Sequence, residues 1–250
     1  MILYKISSFL FYKADKGTPS IDDWLKLKLK DAAQPERTFK VYQNSKFTSI
    51  ASWNSRLTAF KDTKIQLTDV LPDESARGKS DLVDIVWPED ERPSKPADAL
   101  IIHEKVYAGK SIKEKLALVM ERMKSVKADV FVVTALDEVA WLFNLRGTDV
   151  PNNPMFFSYA IVDALNNQFM LFTDLNRVTP NIQSHLNADG IEVQVLEYGK
   201  IFETLESISI SSRVWIAPQS SFAILNAVKK NRARSVRYIC ISLNYVVLFQ

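Results

Sequence analysis

The sequence predicts an α/β protein in which helices flank a mixed β-sheet, with part of another α/β domain before it. Short apolar runs rich in β-branched residues alternate with stretches of helical periodicity. Two of these runs, 156–162 and 169–172, are joined by the turn-forming residues DALNN, which predict an antiparallel hairpin within the sheet. The 250 residues are 47% hydrophobic and 24% charged, which is sufficient for a substantial core.

The first third of the chain contains few predicted elements. Ser20 and Asp23 have the spacing of a capping box, which predicts that a helix begins after Ser20. A strand is predicted over 38–42, a helix from the periodic apolar residues within 47–60, and a second strand over 65–67. These elements are too few for a complete domain, so we predict that this region is the end of one.

A polar segment separates this region from the rest. Trp87–Pro96 contains three prolines, which remove backbone donors and fix φ, so a linker is predicted there. Ser111 and Glu114 form a second capping-box pattern, and a helix with one apolar face follows them. Strands are predicted over 129–134, 156–162, 169–172, 191–196 and 214–216, with helical stretches between and after them.

Few residues in this sequence suit catalysis or metal binding. None of the six glycines falls in a phosphate-binding loop pattern, and no HExxH or paired cysteines occur. His103 and His185 are predicted to be surface residues, and Cys240 to be inert. We therefore expect no metal or cofactor in this chain.

Charge and hydropathy argue against a nucleic-acid-binding protein and against a membrane-spanning one. The net charge of +3 gives no reason to expect nucleic-acid binding, and no apolar run is long enough to span a membrane. We expect no signal peptide, because Lys5 and Lys13 interrupt the apolar N-terminal stretch. A single cysteine is typical of a reducing compartment, so we predict a cytoplasmic protein.

Two short motifs remain as candidate functional sites. Arg146 and Asp149 flank Gly147 between a predicted helix and a proline-rich loop, a position where binding groups often lie. The structural alternative is an internal Arg–Asp pair that fixes the loop. Asp137 and Glu138 could be an acid–base pair, although acids in the first turn of a helix are favoured by its dipole.

The run Thr134–Tyr159, TALDEVAWLFNLRGTDVPNNPMFFSY, resembles the middle, non-catalytic domain of cytosolic three-domain X-prolyl aminopeptidases (aminopeptidase P), which belong to the creatinase/prolidase group. Other landmarks of these enzymes occur in order, and the likeness covers residues 17 to 230, most of the chain. These other landmarks are GTPS at 17–20, DWL at 23–25, LVDIVW at 82–87, ERP at 91–93 and VWI at 214–216.

The resemblance implies two α/β domains with a ribonuclease H-like motif before a catalytic domain. In the family that last domain holds two manganese ions through two aspartates, a histidine and two glutamates, and removes an N-terminal residue that precedes proline. The early part of the first domain and the whole catalytic domain have no counterpart in this sequence, and the likeness ends near Val228. No catalytic residue or metal ligand can therefore be assigned.

We therefore predict a partial first domain over 1–86, a linker over 87–96, a complete second domain over 97–228 and a divergent tail over 229–250. The predicted function is that of a non-catalytic region that walls the substrate cleft. Asn144, Arg146 and Asp149 are the candidates for facing that cleft or the catalytic domain. The alternatives are an incomplete sequence of an active manganese-dependent enzyme, or a binding module. The expected partner is a full-length aminopeptidase paralogue or a second copy in a homodimer.

Overall fold

A computed structural model describes residues 17–31, 38–70, 87–208, 212–230 and 238–239. The N-terminal stretch, the 82–86 landmark, Cys240 and most of the predicted tail lie outside these residues. We call 17–31 and 38–70 the first unit, and the described residues from 97 onward the second unit. Between them, residues 87–96 contain one 3-10 turn, Glu89–Glu91, within otherwise irregular chain, in the region where the linker is predicted.

The first unit contains two parallel strands with helices beside them. Its elements are α1 (Ile21–Asp31), β1 (Phe39–Gln43), α2 (Ile50–Ala59) and β2 (Ile65–Asp69). Serines cap both helices: Ser20 Oγ accepts from Asp23 N–H at 3.1 Å, and Ser49 Oγ accepts from Ser52 N–H at 3.1 Å. Each predicted element of this region is therefore present.

The second unit is built on a six-stranded mixed sheet. Its elements are β3 (Ile101–Ile102), α3 (Lys105–Ala108), α4 (Ile112–Ser125), β4 (Val130–Val133), α5 (Leu136–Leu142), β5 (Leu145–Arg146), β6 (Tyr159–Asp163), β7 (Gln168–Thr173), α6 (Pro180–Leu186), β8 (Val193–Glu197), α7 (Ile201–Ser207), β9 (Val214–Ile216), α8 (Phe222–Lys230) and β10 (Tyr238–Ile239).

The strand order in this sheet is β10-β9-β4-β6-β7-β8. The predicted hairpin is confirmed, since β6 is antiparallel to β7 and also to β4. The remaining neighbours are parallel, and β3 forms a separate antiparallel pair with β5. The mixed α/β fold predicted from the sequence is confirmed.

Apolar residues bury both faces of the sheet. Side chains of β4 alternate between the two sides, so Phe131 and Val133 pack with α4, α5 and α6 while Val130 and Val132 pack with α7 and α8. The helix face predicted for α4 is buried, and Ser111 and Glu114 form a reciprocal capping box at its start. No helix in the described ranges has the length and hydropathy needed to cross a bilayer.

The two units meet at the beginnings of α2 and α8 through reciprocal main-chain hydrogen bonds. Ile50 N–H donates to Ser220 O at 2.9 Å, while Phe222 N–H donates to Thr48 O at 2.8 Å. The Trp53 and Phe222 rings stack with their centroids 4.3 Å apart. This contact joins the first unit to the sheet of the second.

Candidate functional site

The candidate site is the segment that follows α5. The helix ends at Leu142, and Asn144 has a φ of 50°, a left-handed conformation that asparagine tolerates better than most residues. The Asn144 side chain donates to Lys110 O at 2.9 Å, and its main-chain oxygen accepts from His103 N–H at 2.8 Å. Asn144 is 2% exposed, so it holds the turn from within.

A buried lysine supports this turn. Lys115 is 2% exposed, and its ammonium group donates to Asn144 Oδ1 and to Trp141 O, 4.8 Å from the centre of the Trp141 ring. Burial, followed by the positive charges of Arg146 and Lys110, lowers the pKa of Lys115 to about 8. No hydrogen bond or ion pair joins this ammonium to a carboxylate among the described residues.

The position of Lys115 in the sequence indicates a buried or snorkelling lysine. Lys115 lies within the apolar face of α4, between Ile112 and Val119 at helical spacing. A lysine at such a position is either buried with polar partners or extends its ammonium group to solvent. Its partners lie on α5 and the following turn, which only the tertiary structure identifies.

Arg146 is the candidate residue that keeps part of its surface exposed. Its Nη1 donates to Ala140 O and Leu145 O, each at 2.9 Å, so one nitrogen caps carbonyl groups near the end of α5. Partial burial lowers the pKa of Arg146 from its ordinary value, but not enough to remove its charge at neutral pH. Within the described residues, Arg146 forms no ion pair with a carboxylate.

Asp149 lies at the centre of a buried clamp. Its two carboxylate oxygens accept from Nη1 and Nη2 of Arg177, both at 2.7 Å, and Oδ2 also accepts from Phe157 N–H at 2.7 Å. The Arg177 Nε donates to Asp98 O at 2.7 Å, which ties the residues after the linker to the same clamp. Bidentate Arg–carboxylate pairs fix geometry as well as charge.

The internal Arg–Asp pair considered for this loop exists with a different arginine. Asp149 pairs with Arg177 and not with Arg146, so the expected partner was wrong. Arg177 is 28 positions along the chain from Asp149, in a 3-10 turn after β7. No local periodicity or spacing connects the two residues, and therefore sequence reasoning missed Arg177.

Gly147 allows the loop to pass close to the residues that follow it. A Cβ at this position would lie 2.6 Å from Phe156 Cβ, closer than real Cβ atoms approach a neighbour. Thr148 Oγ1 also donates to the Asp98 carboxylate at 2.5 Å. Glycine is therefore required by packing here, and the loop is held on both sides.

Asp137 and Glu138 occupy the first turn of α5. The exposed Asp137 accepts from Glu138 N–H at 3.0 Å, as acids at a helix start commonly do. Glu138 is partly buried, and this burial together with the charge of Asp137 raises its pKa to about 7. The two side chains therefore differ in environment although they are adjacent in sequence.

Histidines do not complete a metal site in this region. His185 Nε2 lies 3.0 Å from Phe143 O, and burial, followed by the charges of Arg146 and Lys115, lowers the pKa of His103. Across the described ranges, no three His, Cys, Asp or Glu side chains converge as metal ligands would. These residues therefore do not fit the pair of manganese ions that the resemblance implies for the parent enzymes.

Comparison with known proteins identifies relatives of this chain. A family profile described as the Creatinase/Prolidase N-terminal domain matches residues 91–244, a range that continues beyond the boundary predicted at Val228. The Xaa-Pro aminopeptidase ApepP of Drosophila melanogaster is 32% identical over 228 residues, which cover 90% of this chain and 34% of that protein. An uncharacterised peptidase of Schizosaccharomyces pombe is 41% identical over 155 residues, covering 62% of this chain and 25% of that peptidase.

A solved structure has the same fold. The X-prolyl aminopeptidase of Caenorhabditis elegans, a cytosolic enzyme with a di-nuclear active site, superposes with a TM-score of 0.75 at 20% identity. The match covers 92% of this chain and 35% of the enzyme. The chain thus spans about a third or less of the length of these relatives. The resemblance to aminopeptidase P that the sequence indicated is confirmed.

Proposed function

The chain belongs to the creatinase/prolidase N-terminal domain family, and from that premise we propose that it acts as the non-catalytic, cleft-walling region of an Xaa-Pro aminopeptidase-like protein. The observation that supports this function most directly is the presentation of Arg146. Arg146 ends β5, directly before a loop fixed by buried contacts, and no carboxylate of the described residues neutralises its guanidinium. A rigid, partly exposed cation is suited to an anionic group across a cleft.

The surroundings of Arg146 strengthen its attraction for an anion. Lys115 and His103 lie close enough for their pKa values to be lowered by the Arg146 charge. Asn144 and Asp149 face inward and hold the loop, so we assign them positioning roles and assign the contact role to Arg146. Its partner would be a carboxylate, either of a short peptide or of an adjoining catalytic domain.

In this role, peptide hydrolysis takes place outside the described residues, which lack a fitting set of metal ligands. We further propose that the protein functions in the cytoplasm, as the C. elegans enzyme does. A peptide assay tests whether the chain itself hydrolyses peptides. The purified chain, with Mn²⁺ added, is expected to release no N-terminal residue from an Xaa-Pro-Xaa peptide, whereas the Drosophila enzyme serves as the positive control. Turnover by the chain would contradict the proposal and favour the interpretation as an active manganese enzyme.

A chimaera tests the role of Arg146 itself. Residues 144–157 of this chain would replace the aligned loop of the Drosophila enzyme. We expect the chimaera to remain active, and Arg146→Ala within it to lower kcat/KM by about tenfold, equivalent to about 1.4 kcal/mol of transition-state binding. Asn152→Gly, at an exposed position of the same loop where φ is 62°, is the matched control and should leave kcat/KM unchanged. Equal kcat/KM for the Arg146→Ala and parent chimaeras would show that Arg146 only caps α5.

A further inference from the structure

Arg146 shares the outer side of a two-stranded ribbon with His103. β3 is antiparallel to β5, with Ile101 opposite Arg146 and Ile102 opposite Leu145. Leu145 is buried in the core and Ile102 packs against the same core, whereas Ile101 is exposed. Because side chains alternate along a strand, the half-exposed His103 lies on the side of Ile101 and Arg146, away from the core.

The side chains of Arg146 and His103 are close enough for one anion to reach both. His103 N–H donates to Asn144 O at 2.8 Å, which extends the pairing of the two strands by one residue. Arg146 and His103 are then diagonal neighbours, about 7–8 Å apart, a separation within reach of long and aromatic side chains. Burial, followed by the charges of Arg146 and Lys115, lowers the pKa of His103, as expected at this separation. A carboxylate between the two side chains can accept hydrogen bonds from both.

The charges that act on this ribbon are positive. Lys115 of α4 lies beneath the turn, where its ammonium group is buried, and Lys110 acts on Lys115 in turn. Within the described ranges, no carboxylate forms an ion pair with Arg146, His103 or Lys115. Since charges removed from water are generally paired, this cluster favours an anion supplied from outside the described residues.

Exposed apolar side chains flank the two cationic positions. Tyr107 of α3 is 75% exposed, and the centre of its ring lies 6.2 Å from that of the His103 ring. Ile101, which is 56% exposed, lies directly opposite Arg146. An organic carboxylate can place apolar atoms against these side chains while its oxygens reach the cations. The surroundings therefore favour a peptide carboxylate over a small inorganic anion.

We propose that His103 is a second contact residue for the carboxylate that Arg146 is proposed to bind, and that one carboxylate bridges the two side chains when the imidazole is protonated. The anion site at Arg146 is part of the proposed function, on which this assignment rests. A bound anion stabilises the protonated imidazole, so carboxylate binding and protonation of His103 favour each other. Affinity for the carboxylate therefore rises as the pH falls through the titration of His103, while Arg146 stays charged throughout.

An NMR titration of the full chain measures this coupling. The probe is N-acetylated trialanine, which ends in a free carboxylate that stays ionised at pH 5, and its C-terminal amide is the neutral control. We expect the carboxylate peptide to raise the pKa of His103 by about one pH unit. It should then bind about tenfold more tightly at pH 5 than at pH 8, because the two effects are linked. The amide should do neither.

Two variants assign the pH dependence to one histidine. His103→Gln should bind the carboxylate peptide with nearly the same affinity at pH 5 and pH 8, close to that of wild type at pH 8. His185→Gln is the matched control, because it removes the other of the two histidines in the chain. It should keep the tenfold pH dependence, and its spectrum identifies the His103 imidazole resonance.

A third peptide distinguishes the two sources of a carboxylate. It is N-acetylated and C-terminally amidated, with glutamate as its middle residue. Tighter binding of the trialanine carboxylate would support the C-terminus of a short peptide as the ligand. Tighter binding of the glutamate peptide would support an acidic side chain of an adjoining domain. In both cases the bound group is a carboxylate held by Arg146 and His103.

Other results would overturn the assignment of His103. Equal affinity of wild type at pH 5 and pH 8, or a tenfold pH dependence retained by His103→Gln, would exclude His103 and leave the Arg146 contact intact. Equal binding of the trialanine amide would show that the carboxylate is not recognised. If the Arg146 Nε–Hε resonance responds to no carboxylate peptide at either pH, the proposed role of Arg146 fails together with that of His103.

Discussion

Two strand–helix–strand arrangements, β1-α2-β2 and β9-α8-β10, share parallel connectivity and differ in burial. All three residues of β9 are buried, with Val214, Trp215 and Ile216 at most 1% exposed. In β1, partly buried residues alternate with exposed ones over Phe39–Gln43. β9 lies between two strands of a six-stranded sheet, whereas β1 has one described neighbour. The same local pattern thus produces a core strand or an edge strand according to what lies beside it.

The largest loss of stability is expected from a substitution at the contact between the two arrangements. Trp53 is 5% exposed and stacks on Phe222, so Trp53→Ala should lower the free energy of unfolding by about 3–5 kcal/mol, the usual cost of deleting a buried aromatic side chain. Urea unfolding followed by circular dichroism measures this loss. Trp87→Ala, at a position 43% exposed, is the control and should change stability by less than about 0.5 kcal/mol. Equal losses of stability in the two variants would mean that the Trp53–Phe222 stack does not stabilise the contact between the units.

A matched pair of valines compares the two strands. Val214→Ala in β9 should cost about 2 kcal/mol, because two methyl groups leave a fully buried site, whereas Val41→Ala in β1 should cost less than about 1 kcal/mol. Both losses can be measured by the same unfolding experiment at low protein concentration. A larger loss for Val41→Ala than for Val214→Ala would mean that Val41 is more deeply buried in solution than this structure shows.

The smallest expected change in stability is at α5, which follows β4 and has no described counterpart in the first unit. Burial raises the pKa of Glu138 to about 7 from 4.5, so the folded state binds more protons between those pH values and stability falls as pH rises through this window. Glu138→Gln should therefore be more stable than wild type at pH 8 by about 1–2 kcal/mol, after allowance for solvent screening, and nearly equal at pH 4.

Thermal unfolding at the two pH values measures the Glu138 effect. Glu121→Gln, on an exposed position of α4, is the matched control for removing one carboxylate charge. A Glu138→Gln variant less stable than wild type at pH 8 would show that the charged carboxylate makes a favourable contact.

Local patterns accounted for most of the elements. The cap at Ser20 and the capping box at Ser111 begin the helices predicted from their spacing, and the turn after Asp163 joins the predicted hairpin. These signals act over a few residues, where propensity and hydrogen bonding are decided by neighbours in sequence. The candidate loop was also recognisable, since Arg146 and Asp149 lie between clearly predicted elements.

The sequence by itself determined the fold class, the family and the position of the loop after α5. Only the tertiary structure decided that Asp149 pairs with Arg177, that Lys115 supports Asn144, and that β9 lies between β4 and β10. The physical reason is that an ion pair or a strand neighbour depends on which distant segments meet. Periodicity along the chain reports which side of an element is buried, but it does not identify the residue found there.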